Sequence, residues 1–304
     1  AMNVTVYLSL AVVASYGVSA PRLSRHLPPA VGTWLLSLGA AAGAVAASGA
    51  LALLSVPLVA QDPAVARAGG WSRRVLAAHD PVRTPVAAFA LAVLAVGLAR
   101  MGWAVIRSLR TGAETRRLSA TLPLGQELVV ADDESRYAFA LPGRPGHIVA
   151  SSGLLRALDP GQRRALLAHE RAHLVDRHLW HITLVRLCVA LCLPLAPLAQ
   201  ATRLACERWA DETAAAVVGR DVVASALTTA GHGRQHAVPA NALAIAADAV
   251  AYRIRALRAP QPRLHLALIA LPVALLLVVT FCDGNALAEL HHLFERAQAA
   301  APRH

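Results

Sequence analysis

Four long apolar runs constrain the fold of this chain more than any other feature of its sequence. Each is about long enough to cross a hydrocarbon core of roughly 30 Å as a helix. The hydrophobic content of 56% and the mean hydropathy of +0.49 are too high for an ordinary soluble protein. We therefore predict a mainly α membrane protein with four transmembrane helices. The runs are Val4 to Ala20, Val31 to Ala60, Thr84 to Ile106 and Leu264 to Cys282.

Two features of the flanking sequence extend this prediction. The first run lacks a preceding basic segment and a clear small-residue cleavage site, so we expect an anchor and not a secretory signal. Ten arginines near the ends of the runs lie on one side and six on the other, which predicts an outside N-terminus and a cytoplasmic central region. The predicted domains are a membrane domain at 1–107, a cytoplasmic domain at 108–263, and a fourth helix with a short extracellular tail at 264–304.

The net charge of +11 comes entirely from arginine, because the chain contains no lysine. This bias indicates a GC-rich bacterial genome more than a nucleic-acid site. Aromatic residues make up only 4% of the chain, and no basic run is interleaved with them. We therefore expect no direct nucleic-acid partner, and arginines that contact the lipid bilayer of the cell membrane. The four cysteines form no CxxC pair, and the sequence leaves a homo-oligomer open.

The stretch from Leu166 to His178 reads LLAHERAHLVDRH and contains His169, Glu170 and His173 in the spacing HExxH. On a helix, residues i and i+4 share one face, so both imidazoles can bind one metal ion while Glu170 lies beside them. Asp159, Pro160 and Gln162 upstream predict the start of that helix, with a capping box. The pattern is typical of a zinc hydrolase in which Glu170 is the catalytic base.

Such a site needs a third protein ligand, and Glu207 in RLACERWADETAAA is the candidate. Catalytic zinc is commonly held by two histidines and one glutamate, which leaves a fourth position for water. Asp211 lies one helical turn further on and could orient a ligand imidazole. Taken alone, Glu207 and Asp211 could equally lie on a solvated helix face. Together with HExxH they predict one Zn²⁺ per chain.

Short alternating segments before the metal helix predict a small sheet. The predicted strands are Glu127 to Ala131, Tyr137 to Leu141 and His147 to Ser151. We predict that the last of these is an exposed edge that pairs with a peptide substrate, with a purely structural hairpin as the alternative. The residues of this predicted substrate strand are His147, Ile148, Val149, Ala150 and Ser151.

Three further predictions concern the chain after HExxH. The apolar segment 182–199 is either a re-entrant helix or a plain core helix, since a single crossing would separate the two motifs. His178 and His181 should turn away from the His169 face. Candidate oxyanion stabilisers, weighed against solvated side chains, are His232, His236 and Arg253.

The order of the segment YAFALPGRPGHIVASSGLL, the HExxH helix and CERWAD resembles the catalytic core of membrane gluzincin peptidases over about residues 127 to 260. The resemblance implies an α+β zinc-peptidase domain inserted between membrane helices three and four. It implies that His169, His173 and Glu207 bind zinc and that Glu170 is the general base. It also implies that Asp211 orients a ligand histidine.

Two groups of these peptidases fit, the BlaR/MecR antirepressor type and the HtpX type. HtpX-type enzymes usually have a helical pair between HExxH and the glutamate, whereas one apolar run stands here, so we prefer the antirepressor group. The chain departs from the antibiotic-sensing members, because only residues 283–304 follow the last run where those members carry a penicillin-binding sensor domain.

The predicted function is cleavage of a cytoplasmic protein, namely a BlaI-like repressor in a signalling pathway. One alternative is quality-control proteolysis of membrane proteins. Another is a non-catalytic membrane scaffold that keeps a structural zinc. Retention of Glu170 argues against the scaffold, because a structural zinc needs no base.

Overall fold

The computed structural model describes residues 2–78, 82–123, 125–231, 240–264 and 266–300. Helices dominate this part of the chain, and a small mixed sheet lies between the fifth and sixth helices, as the sequence predicts. The helices are α1 (Met2–Ser24), α2 (Pro29–Ala60), α3 (Pro63–Gly69), α4 (Arg73–Ala78), α5 (Thr84–Ala120), α6 (Ser152–Ala157), α7 (Pro160–Val175), α8 (His178–Leu191), α9 (Ala196–Val218), α10 (Arg220–Gly231), α11 (Ala240–Arg258) and α12 (Leu266–Ala299). The strands are β1 (Leu128–Ala131), β2 (Ala138–Leu141) and β3 (His147–Ser151).

Three helices of the described residues, α1, α2 and α5, are long and apolar enough to cross a membrane. They contain the first three predicted spans. The fourth predicted span falls almost wholly within α12, a continuous helix of 34 residues that packs against α1 and α2. The Ser9 hydroxyl on α1 donates to the Asp283 carboxylate on α12 across 2.8 Å. The membrane crossing of α12 stays a prediction.

The segment 61–83, which its glycines and prolines suggest is a plain connector, contains the short helices α3 and α4. Asp62 caps α3 by accepting hydrogen bonds from the main-chain N–H groups of Ala64 and Val65, and Pro63 occupies the first turn. The main-chain N–H of Ser72 donates to the carbonyl of Ala297 at 2.9 Å. The segment is therefore folded against the end of α12.

The apolar segment between the two metal motifs is a helical hairpin. α8 and the first half of α9 are joined by a 3-10 turn at Leu193–Leu195. A Cβ atom on Gly17 of α1 would overlap the carbonyl of Pro194 in that turn, and a Cβ atom on Gly97 of α5 would overlap the carbonyl of Leu191. The hairpin therefore enters the bundle of candidate spans and returns. Its packing against the candidate spans fits the re-entrant interpretation, which stays a prediction.

The sheet has the order β1-β3-β2, with β1 parallel and β2 antiparallel to β3. The prediction that the strand His147–Ser151 is a free edge is therefore wrong. Its residues, His147, Ile148, Val149, Ala150 and Ser151, are paired on both sides. The alternation of apolar and polar residues along a strand indicates which of its faces is buried. It does not indicate the order of the strands in the sheet. Within the described residues, β1 and β2 are the edges.

The HExxH helix α7 begins as predicted. The Asp159 side chain accepts from the main-chain N–H of Gln162, whose side chain accepts from the main-chain N–H of Asp159, and Pro160 follows the cap. The helix packs against α9 and α10 through a small apolar core that includes Ala165, Ala214 and Val223. This packing places the HExxH face of α7 opposite the CERWAD face of α9.

Candidate active site

Three side chains from α7 and α9 converge on one point. The Nε2 atoms of His169 and His173 lie 3.2 Å apart. A carboxylate oxygen of Glu207 lies 3.6 Å from the Nε2 of His169, and its other oxygen lies 3.7 Å from the Nε2 of His173. Within the part of the chain that the structure describes, these residues form the group of potential metal ligands.

The separations of these atoms fit a zinc ion. Zinc bonds of about 2.0–2.1 Å at tetrahedral angles place neighbouring ligand atoms roughly 3.3 Å apart. Two nitrogen atoms and one carboxylate match the preferred ligands of catalytic zinc. Partial burial of His169 disfavours its charged form, yet its bond with Asp211 and the neighbouring Glu207 carboxylate raise its pKa to about 9. The carboxylates therefore favour positive charge at this point.

Asp211 and Arg253 contact two of the three ligands, His169 and Glu207, and hold their side chains in place. The Nδ1 of His169 lies 3.1 Å from a carboxylate oxygen of the buried Asp211. Because a carboxylate only accepts, this bond keeps a proton on Nδ1, so a metal ion would replace the proton on Nε2 and bind that nitrogen. Arg253 donates two hydrogen bonds to Asp211, at 2.6 and 2.7 Å, and lies 2.8 Å from an oxygen of Glu207. Although burial raises the pKa of Glu207, its bond with His169 and the charge of Arg253 hold that pKa well below its usual range.

Glu170 lies beside the three ligands and is buried, with 8% of its surface exposed. Burial raises the pKa of its carboxyl group above the usual range, which moves it toward that of a useful base. The main-chain N–H of Ala140 on β2 donates to it. Glu170 is therefore held between the metal position and the edge strand of the sheet.

His178 is a part of the site that sequence reasoning missed. Its Nδ1 lies 2.8 Å from the Nδ1 of His173, and the ring is buried against Trp209. Burial lowers the pKa of His173 to about 4 and that of His178 to about 3, so both rings are neutral near pH 7. If His173 uses Nε2 as a ligand atom, its Nδ1 carries the proton and donates to His178. His178 therefore orients the second histidine as Asp211 orients the first.

The sequence-based reason for dismissing His178 assumed one continuous helix. Instead α7 ends at Val175, and Arg177 adopts a left-handed conformation with φ of 52°. The chain turns there, so His178 starts α8 in a different direction and points back at His173. No glycine or proline marks this break, so the sequence carries no local signal for it.

Loss of this contact should weaken metal binding. We expect His178→Ala to lower zinc affinity about 10- to 100-fold, because the His173 ring loses the acceptor that fixes its orientation. Competition with a chromogenic chelator measures this. His181→Ala is the matched control, since His181 is also buried on α8 but pairs through Nδ1 with the Ser37 hydroxyl at 2.9 Å. Equal zinc affinities for wild type and His178→Ala would remove His178 from the site.

The ligands form one wall of a cleft of about 510 Å³. The opposite wall is the edge strand β2 with its flanking residues, from Arg136 to Pro142. The main-chain N–H of Ser151 on β3 donates to the carbonyl of Tyr137 at 3.0 Å. Antiparallel alternation therefore turns the main-chain groups of Ala138 and Ala140 away from β3 and toward the cleft. Apart from the Ala140 N–H, which donates to Glu170, this strand edge is open toward the metal position.

The structure brings together six residues that the sequence singles out, namely His169, Glu170, His173, Glu207, Asp211 and Arg253. The guanidinium of Arg253, a predicted oxyanion stabiliser, is engaged by Glu207 and Asp211, although it also lines the cleft. His232 and His236, the other two predicted stabilisers, lie outside the described residues.

Comparison with known families decides the class of this site. The model of peptidase family M48 matches residues 107–266, which is slightly more than half of the chain. The chain belongs to peptidase family M48. M48 peptidases are metallopeptidases that use zinc, and the site of this M48 chain offers two histidines and a glutamate to such an ion. No curated protein and no solved structure matches the chain.

Proposed function

We propose that this protein is a membrane-bound zinc endopeptidase that hydrolyses peptide bonds in an extended polypeptide. The observation that carries the proposal is the convergence of His169, His173 and Glu207 beside a buried Glu170. The cleft next to them is open along a strand edge, which suits a chain lying across it and not only a chain end. A zinc ion bound there supplies a Lewis acid that lowers the pKa of water and polarises a carbonyl group.

The side chains of this protein supply the other steps. Glu170 takes the proton of the attacking water and returns it to the leaving amine. Asp211 and His178 hold the two ligand imidazoles in the orientation that leaves Nε2 free. The outward main-chain groups of Ala138 and the carbonyl of Ala140 hold the substrate as an added strand. This assignment replaces the predicted pairing with His147–Ser151, which is the central strand.

Substrate pairing with β2 is testable by removing one outward donor. Ala138→Pro should lower kcat/KM roughly three- to tenfold, the value of one main-chain hydrogen bond, while zinc content stays unchanged. Cleavage of a quenched fluorescent peptide measures it. The matched control is Val130→Pro on β1, whose pairing with β3 leaves Val130 outward at the opposite edge. A folded Ala138→Pro protein with wild-type kcat/KM would place the substrate elsewhere.

Two substrate classes are compatible with this chemistry. One is a BlaI-like repressor, as the resemblance to antirepressor peptidases implies. The other is damaged or unfolded membrane protein, as in HtpX-type enzymes. The hairpin of α8 and α9 favours the second class, because HtpX-type enzymes usually have a helical pair between HExxH and the glutamate. The arginine distribution supports a cytoplasmic catalytic face for either class.

Direct incubation separates the two classes. The purified protein in detergent is mixed with a BlaI-like repressor or with a destabilised membrane protein, each with and without chelator. We expect chelator-sensitive fragments from the destabilised membrane protein. Cleavage of the repressor alone, at one defined bond, would restore the signalling function.

A further inference from the structure

A second cavity of about 780 Å³ adjoins the active-site cleft. It lies between the C-terminal third of α5, the loop that joins β2 to β3, and α8. The two cavities share wall residues, among them Thr111, Thr115 and Leu179. The proposed peptidase chemistry makes no use of this second space.

The walls of this second cavity carry charge of one sign. Four arginines line it, namely Arg107, Arg116, Arg144 and Arg186, and its described lining includes no carboxylate. All four are exposed, and none has an ion-pair partner within the described part of the chain. Four cations around one space repel one another, so the cavity favours an anion. We call it the arginine cavity.

Hydroxyl groups complete the set of donors in the arginine cavity. Ser108, Thr111, Thr115, Ser119 and Thr183 lie between the arginines on its walls. Guanidinium groups present paired N–H donors that match the oxygens of a phosphate, and hydroxyls add single donors. The lining therefore suits a phosphate group better than an isolated halide or a single carboxylate.

The surroundings of the arginine cavity indicate where such a phosphate comes from. Arg107 directly follows the third predicted span, and Arg186 lies on α8, which runs on to Leu191 beside Gly97 of that span. Large apolar side chains that precede Arg107 on α5 are exposed: Trp103 by 64% and Ile106 by 45%. Tryptophan and arginine together are typical of the level of lipid headgroups. A dissolved anion or an acidic peptide would leave these apolar side chains exposed.

We propose that the arginine cavity binds the phosphate of an anionic membrane phospholipid beside the active-site cleft. The headgroup accepts hydrogen bonds from the arginines and hydroxyls, and the acyl chains lie along the exposed apolar face of α5. The site belongs to the folded protein and needs neither zinc nor substrate.

Lipid binding to variants of the full-length protein tests this site. The protein in neutral detergent is titrated with phosphatidylglycerol or phosphatidylcholine, and bound lipid is counted by native mass spectrometry. We expect preferential, saturable binding of phosphatidylglycerol and about 30-fold weaker binding by the double variant Arg107→Gln/Arg186→Gln. The matched control is Arg110→Gln/Arg117→Gln, which removes the same charge from α5 outside the cavity. It should bind like the wild type.

Thermal unfolding without lipid checks that each variant is folded, and Arg116→Gln/Arg144→Gln carries the test if the first pair is not. Equal weakening by the control pair would overturn the site in favour of general surface attraction. Equal binding of the two lipids would overturn the charge preference. Inorganic phosphate that displaces phosphatidylglycerol at similar concentrations would assign the cavity to a soluble phosphate. Each readout is independent of peptide cleavage, so it stands apart from the proposed function.

Discussion

Glu170→Gln should abolish most turnover and leave the metal in place. Glutamine keeps the size of the side chain and can still accept from the Ala140 N–H, but it cannot take a proton from water. General-base assistance is typically worth about 10²- to 10⁴-fold, so we expect kcat to fall by at least roughly that factor. Fragment formation by mass spectrometry measures turnover, and elemental analysis measures zinc.

The matched control for this prediction is Glu127→Gln. Glu127 pairs with Arg171, the residue after Glu170, through two hydrogen bonds of 2.5 and 2.6 Å at the protein surface. Its loss changes charge close to the site without touching the base. A folded, zinc-loaded Glu170→Gln protein that cleaves at the wild-type rate would rule out the proposed role. If neither the wild type nor the Glu170→Gln protein cleaves any substrate, and both restore signalling in cells, the scaffold alternative is correct.

Glu207→Ala should strip the metal. The wild type should carry about one zinc per chain, and removal of one of three protein ligands should leave little bound after dialysis. Glu212→Ala is the control, because Glu212 lies on the same helix and pairs with Arg220 at 2.9 Å, outside the site. It should keep its zinc.

Zinc loss caused by the missing ligand must be distinguished from zinc loss caused by unfolding. Loss of Glu207 also removes one partner of Arg253, whose side chain is only 12% exposed, and this could destabilise the fold. Glu207→Gln keeps the volume and a neutral acceptor, so a folded Glu207→Gln protein without zinc supports the ligand assignment. Full zinc occupancy in the folded Glu207→Ala protein contradicts it.

The predictions that held depend on local signals. The capping residues Asp159, Pro160 and Gln162 predict where α7 begins, and the structure starts it at Pro160. The three strands agree with the predicted ones to within a residue, because alternation and turn residues are properties of short segments. We expect HExxH and CERWAD to converge because a single metal ion can bind residues of both motifs only if they meet at one point.

The predictions that failed depend on contacts between distant segments. Pairing on both sides of β3 involves residues about 20 positions away on β1, and alternation within His147–Ser151 cannot reveal it. The sequence leaves open whether 182–199 is a re-entrant or a plain core helix, because its packing against Gly17 and Gly97 involves residues on other helices. The role of His178 depends on one left-handed residue, Arg177, whose side chain gives no hint of that conformation.

The central claim is that this protein hydrolyses peptide bonds with a zinc ion held by His169, His173 and Glu207. The most direct test is digestion of reduced casein in water enriched in heavy oxygen, followed by mass spectrometry of the fragments. We predict internal fragments whose new carboxyl ends carry the heavy isotope, formed by the zinc-loaded wild type and not after chelation or by Glu170→Gln. A zinc-loaded wild type that yields no labelled fragments from casein, the repressor or the destabilised membrane protein would contradict the account.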